Sequence, residues 1–168
     1  MAWVAAILFL VAIFVAMQFT DEVNWTAGDF LIAGFLLFGS LGVYEIATRA
    51  NVNTAYRAGV GVAVLAAFLM IWVNGAVGIT DSDADGMYIV VVAIGVIGAF
   101  IARFKARGMW RAMLVTAVAT ALVGISALIA GIVPSFNTPF EILAITAFFV
   151  VLYGGSALLF RNAISGDG

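Results

Sequence analysis

The residues best suited to chemistry form one short run, Asp81-Ser82-Asp83-Ala84-Asp85-Gly86. Its D-x-D-x-D-G pattern matches the opening of a calcium loop, where alternate carboxylates turn inward and glycine permits the sharp turn. A complete EF-hand has a bidentate glutamate at its twelfth position, and Val92 stands there instead. Calcium on Asp81, Asp83 and Asp85 therefore needs further oxygens, which Asp21, Glu22 or Glu141 are placed to supply. The plainer alternative is a solvated acidic turn. Cysteine and histidine are absent, which removes thiolate chemistry, disulfides, the common zinc sites and histidine-ligated haem. No nucleophile–base pair or phosphate-binding glycine loop occurs, so the chain is read as non-catalytic.

A second group of candidates is polar residues within apolar sequence. Glu45 is the one acid inside such a run, and intramembrane acids are functional suspects by default. Arg49 stands four residues on, at the spacing of a helical ion pair, which is the structural alternative. Asn74 falls roughly 10 Å of helix before Asp81, with Trp72 beside it. Together they suit either a ligand or a hydrogen bond to a neighbouring helix. Thr116 and Thr120 share one helical face, and Ser126 and Ser156 are similarly placed within their runs. Each of these hydroxyls can bond back to its own helix. The loop carrying Arg103, Lys105, Arg107 and Arg111 places four cations beside Phe104 and Trp110, a pattern that suits anionic lipid headgroups. It is too small a basic surface for nucleic acid.

The elements that must position these residues follow from composition. The chain has 168 residues, 65% of them hydrophobic and 10% charged, with a mean hydropathy of +1.22. Soluble domains run at roughly 45–50% apolar and about 25% charged, so lipid is the expected solvent. Six charge-poor runs cover residues 2–19, 30–48, 58–80, 87–102, 112–133 and 142–160. Such lengths suit helices crossing a hydrocarbon core of about 30 Å. The runs are solidly apolar and lack the alternation of a membrane β-barrel. The expected fold is all-α, a single polytopic bundle of six transmembrane helices over 1–168. The first run has no basic n-region and is read as a true span rather than a signal peptide.

Threading six spans from an inside N-terminus puts all seven basic residues on one side. Asp21, Glu22, Asp29, Asp81, Asp83, Asp85 and Glu141 then fall on the other. By the positive-inside rule, both termini are expected in the cytoplasm. Trp3, Tyr44, Tyr56 and Trp110 are expected at the inner interface, and Trp25, Tyr88 and Phe140 at the outer.

An offset of 54 residues aligns Arg49 with Arg103, Tyr56 with Trp110, and Arg57 with Arg111. Units 29–80 and 83–134 would then form a parallel repeat of helix pairs. The alternative is coincidence in an alanine-rich sequence. Small residues recur at helical spacing as Gly59/Ala63/Ala67, Gly95/Ala99, Gly98/Ala102 and Ala112/Thr116/Thr120/Gly124. Such stripes let backbones approach in lipid. Spans three to five are thus expected at the tight centre, with the aromatic first and sixth spans facing outward.

The stretches Val23-Asn24-Trp25-Thr26-Ala27-Gly28-Asp29-Phe30, Trp72-Val73-Asn74-Gly75-Ala76-Val77-Gly78-Ile79 and Ile101-Ala102-Arg103-Phe104 through Gly108-Met109 resemble segments of small bacterial inner-membrane proteins of no assigned activity. The resemblance covers residues 23–162 and implies a bacterial inner membrane without supplying catalytic residues. The expected role is an accessory or structural subunit packed against a membrane-protein partner or against further copies of itself. A small transporter or channel is the first alternative, with a path near Asn74, Trp72, Thr116 and Thr120. A binder of lipid, quinone or carotenoid in an apolar groove is the second. Calcium is the one cofactor that the sequence suggests.

Overall fold

The computed structural model describes residues 2–20, 24–49, 51–76, 86–131 and 139–165. Among them run six helices: α1 (Ala2–Ala16), α2 (Ala27–Thr48), α3 (Thr54–Ala76), α4 (Gly86–Ile101), α5 (Ala106–Ile129) and α6 (Pro139–Ser165). The described residues contain no strand. Four helices, α2, α3, α5 and α6, are long and apolar enough to cross a membrane. Helices α1 and α4 are apolar but shorter, at 15 and 16 residues.

Local chemistry sets several helix starts. At α2 the Thr26 N–H and hydroxyl donate to the Asp29 carboxylate at 2.7 and 2.8 Å, while the Asp29 N–H donates to Thr26 Oγ1 at 3.3 Å. This reciprocal capping box occupies N–H groups that the helix itself leaves unpaired. The Asn53 side chain caps α3 by accepting the Tyr56 N–H at 3.1 Å. Helix α6 opens on Pro139, whose missing N–H costs nothing in a first turn.

The chain divides into two compact units, Met1–Ile46 and Ala47–Gly168. In the first, aromatic contacts join α1 to α2 in antiparallel fashion. Trp3 stacks on Phe38 with ring centroids 5.9 Å apart, and Phe14 meets Phe30 edge-on at 6.3 Å. Ala6 and Ala33 are the fully buried residues described in this unit. Most of its apolar surface, including Leu31, Ile32 and Phe35, is exposed.

The second unit is a ring of four helices. Helix α6 packs against both α5 and α3, α4 packs against α5, and a lighter α3–α4 contact closes the ring. Glycine lies at three of these contacts. A methyl added at Gly98 would sit 2.9 Å from the Ala112 Cβ, one at Gly59 would sit 3.3 Å from the Phe160 ring, and one at Gly124 would overlap the Thr146 side chain. Close backbone approach of this kind is what holds helices together in lipid.

One expectation is corrected here. Helix α6 belongs to the core, where Phe149 and Phe160 are 1% and 0% exposed while their neighbour Phe148 is 50% exposed. Aromatic bulk does not mark a lipid face when the opposing helix offers glycine, as Gly59 does to Phe160. Tyr88, in the first turn of α4, is buried within the protein at 0% exposure. On α1, Phe9 and Phe14 are exposed.

Candidate functional site

The structure separates the candidate residues into three places. The acidic run Asp81, Asp83 and Asp85 lies outside the described residues. Among the described residues, no three carboxylates, histidines or cysteines gather into a metal-binding group. In the first unit, Glu45 lies near the end of α2. Its carboxylate accepts the Trp3 indole N–H at 3.1 Å, tying the start of α1 to the end of the hairpin. Trp3 therefore fixes Glu45 from one side and stacks on Phe38 from the other.

The second place is the interior of the ring. Thr116 and Thr120 are both wholly buried on α5. Their hydroxyls return to their own helix, at 2.9 Å to the Ala112 carbonyl and 2.8 Å to the Thr116 carbonyl. Ser126 does the same toward Val123. Ser156 does not: it donates across helices to the Gly59 carbonyl at 2.8 Å. That bond is available because Gly59 has no side chain to shield its carbonyl. Thr146 and Tyr153, two turns apart on α6, bury hydroxyls that have no hydrogen-bond partner among the described residues. The sequence reading missed both, along with the burial of Tyr88. The signal for Tyr153 was present, because it shares a helical face with Phe149, Ser156 and Phe160. Trp72 is half-buried and stacks on Phe68 at 5.9 Å, and Asn74 is half-buried two residues before the end of α3.

Ser156 and Thr120 should therefore respond differently to loss of the hydroxyl. Ser156→Ala removes an interhelical bond and should cost about 0.6–2 kcal/mol. Thr120→Val removes only a local back-bond and should shift the melting temperature little. Thermal melts of the two variants in one detergent test this contrast.

The third place is the basic end of the ring. Contacts bring the start of α3, the α4–α5 turn and the end of α6 together. The Tyr56 hydroxyl donates to the Phe104 carbonyl at 2.5 Å, its ring meets Phe160 edge-on at 5.2 Å, and the Asn53 amide reaches the Ala163 carbonyl at 3.5 Å. Arg57, Arg103, Lys105, Arg107, Arg111 and Arg161 lie in or beside these segments, Arg49 stands five residues before the start of α3, and every one is exposed. Glu141, at the far end of α6, is the one carboxylate described in this unit.

The α4–α5 turn is conformationally unusual. Arg103 and Phe104 have φ of 50° and 54°, the left-handed region that glycine occupies without strain. The Phe104 N–H reaches back to the Ala99 carbonyl at 3.2 Å and the Arg103 N–H to the Phe100 carbonyl at 2.9 Å. This is the Schellman pairing of a helix end, with arginine where glycine is usual. Two features hold it. Tyr56 secures the Phe104 carbonyl, and Gly108 lets α5 pass close over Ala102.

Comparison with protein-family models, curated proteins and solved structures finds no match.

Proposed function

We propose that this chain is a non-catalytic integral membrane protein, an accessory or structural subunit that packs against a larger membrane complex. The observation that carries this reading is the filled centre of the second unit. Met70, Phe149, Tyr153 and Phe160 occupy it, and glycine contacts draw its helices together. With the interior given to packing, recognition falls to the surfaces, and the first unit exposes a broad aromatic and aliphatic one. The same filled centre speaks against the transporter or channel reading.

In this proposal α1 and α4 also span, making six crossings of a bacterial inner membrane with both termini in the cytoplasm. Support comes from the gathering of all seven cations at one end of the second unit, as the positive-inside rule requires of a cytoplasmic face. Units 29–80 and 83–134 are taken as a duplication, supported by the basic turn that precedes both α3 and α5. Gentle extraction followed by native mass measurement tests the subunit role. The expected result is a stoichiometric complex with another membrane protein or with further copies of the chain. A monomeric particle without partners would overturn it.

A specific observation also favours the apolar-ligand reading. An apolar groove of about 380 Å³ runs between α3 and α6, lined by Leu69, Val73, Ala144, Ile145, Phe148 and Phe149. Its chemistry suits a lipid, quinone or carotenoid chain. Organic extraction of the purified protein should then yield a stoichiometric small molecule.

A further inference from the structure

We propose that the α4–α5 turn is a docking surface for the headgroups of anionic phospholipids, with Arg103 held in a strained conformation to meet them. The inference rests on the membrane reading above and goes beyond it by assigning a lipid class and a residue.

Charge supplies the first part of the case. Seven exposed cations occupy one end of the α3–α6 ring, and the one carboxylate described in that unit, Glu141, stands at the other end. An apolar bundle of this kind carries that end at the level of the headgroups. Phosphodiester anions are the complementary charge available there, and each cation near such a surface strengthens attraction appreciably. Four of the seven, Arg103, Lys105, Arg107 and Arg111, come from nine consecutive residues.

Backbone geometry supplies the second part. The turn needs a left-handed residue at position 103, and glycine would satisfy it at the least conformational cost. Arginine stands there with φ of 50°, followed by Phe104 at 54°. Strain of this kind persists only where surrounding contacts enforce it. Those contacts are present in the Tyr56 hydroxyl on the Phe104 carbonyl and in the close Gly108–Ala102 approach. The turn thus keeps a cation where stability alone favours glycine, which is the pattern of a residue retained for what its side chain touches.

The test uses the full-length protein in nanodiscs of phosphatidylcholine, with and without phosphatidylglycerol. Phosphatidylglycerol should raise the melting temperature of the wild-type protein, and inorganic phosphate added to zwitterionic discs should not. Arg103→Gly should melt about 2–4 °C higher than wild type in zwitterionic discs, because the left-handed strain is relieved. The same variant should hold phosphatidylglycerol about fivefold more weakly. Arg103→Asn, which tolerates the left-handed region, should lose affinity similarly, and Arg103→Lys should keep most of it. The proposal is overturned if both uncharged variants retain wild-type affinity, or if Arg103→Gly fails to gain stability. Equal protection by free phosphate would overturn the lipid assignment, as would failure to distinguish the two disc types. None of these outcomes depends on whether a protein partner is found, so this inference and the subunit role fail separately.

Discussion

Gly124→Ala should destabilise the protein by about 1–3 kcal/mol, although alanine is by itself the better helix former by about 1 kcal/mol. The sign is set by packing. The added methyl would overlap the Thr146 Oγ1 and Cγ2 and come within 2.8 Å of its Cβ. Neither helix can retreat freely. Thr146 is held on α6 between the buried Ile142 and Phe149, and α5 is fixed on its other side by α4. Thr146→Ala alone should be neutral or slightly stabilising, since its buried hydroxyl has no partner among the described residues to lose. In the Gly124→Ala background, the same change should recover part of the lost stability, because it removes the two closest atoms and leaves the Cβ. The double-mutant cycle in thermal melts should therefore show a coupling of order 1 kcal/mol. Additive effects would mean that the two residues do not touch.

This pair also shows what was legible in the sequence. Gly124 was identifiable because it continues the Ala112, Thr116, Thr120 stripe, and small residues at that spacing mark a close helix contact. Its partner was not. Phe148 and Phe149 next to Thr146 gave the run a lipid-facing character, and periodicity alone does not say which of two adjacent phenylalanines turns inward. The answer lies in the opposing helices, where Gly59 and Gly124 leave room for α6. The same lack of partner information hid the Ser156 bond to the Gly59 carbonyl, since a serine mid-helix has a local acceptor in every case.

Helix existence was well marked by the charge-poor runs, and helix ends were marked less well. The run beginning at residue 58 becomes a helix beginning at Thr54, and the run beginning at 112 becomes one beginning at Ala106. The apolar run measures the stretch that prefers hydrocarbon. The helix continues past it, because backbone groups near the headgroups still pair best within a helix and Arg57, Arg107 and Arg111 extend outward from it. Asn53 was the readable signal for the true start of α3, as Thr26 with Asp29 was for α2. The left-handed turn at Arg103 had no such signal, since the sequence offers no glycine at the position that requires one.

Gly108→Ala tests that turn and should be the more damaging of the two glycine substitutions. A methyl at Gly108 would lie 2.6 Å from the Ala102 Cβ, 2.9 Å from its Cα and 3.4 Å from its carbonyl oxygen. At Gly124 the obstacle is a side chain, which a smaller residue removes. Here the second obstacle is backbone, and it can move only if the α4–α5 turn opens. Opening would pull the Phe104 carbonyl from the Tyr56 hydroxyl, leaving two partly buried groups to find other partners. It would also disturb the Phe104–Ala99 and Arg103–Phe100 bonds that end α4. The expected cost is about 3 kcal/mol, at the upper end for overpacking. Ala102→Gly in the same chain should restore only part of it, since the Cβ goes and the Cα stays. Because helix propensity alone favours alanine at this position, a Gly108→Ala protein that melts at or above the wild-type temperature would show that α5 does not pass over Ala102. The turn as described would then be wrong, and with it the presentation of Arg103 to the headgroup layer.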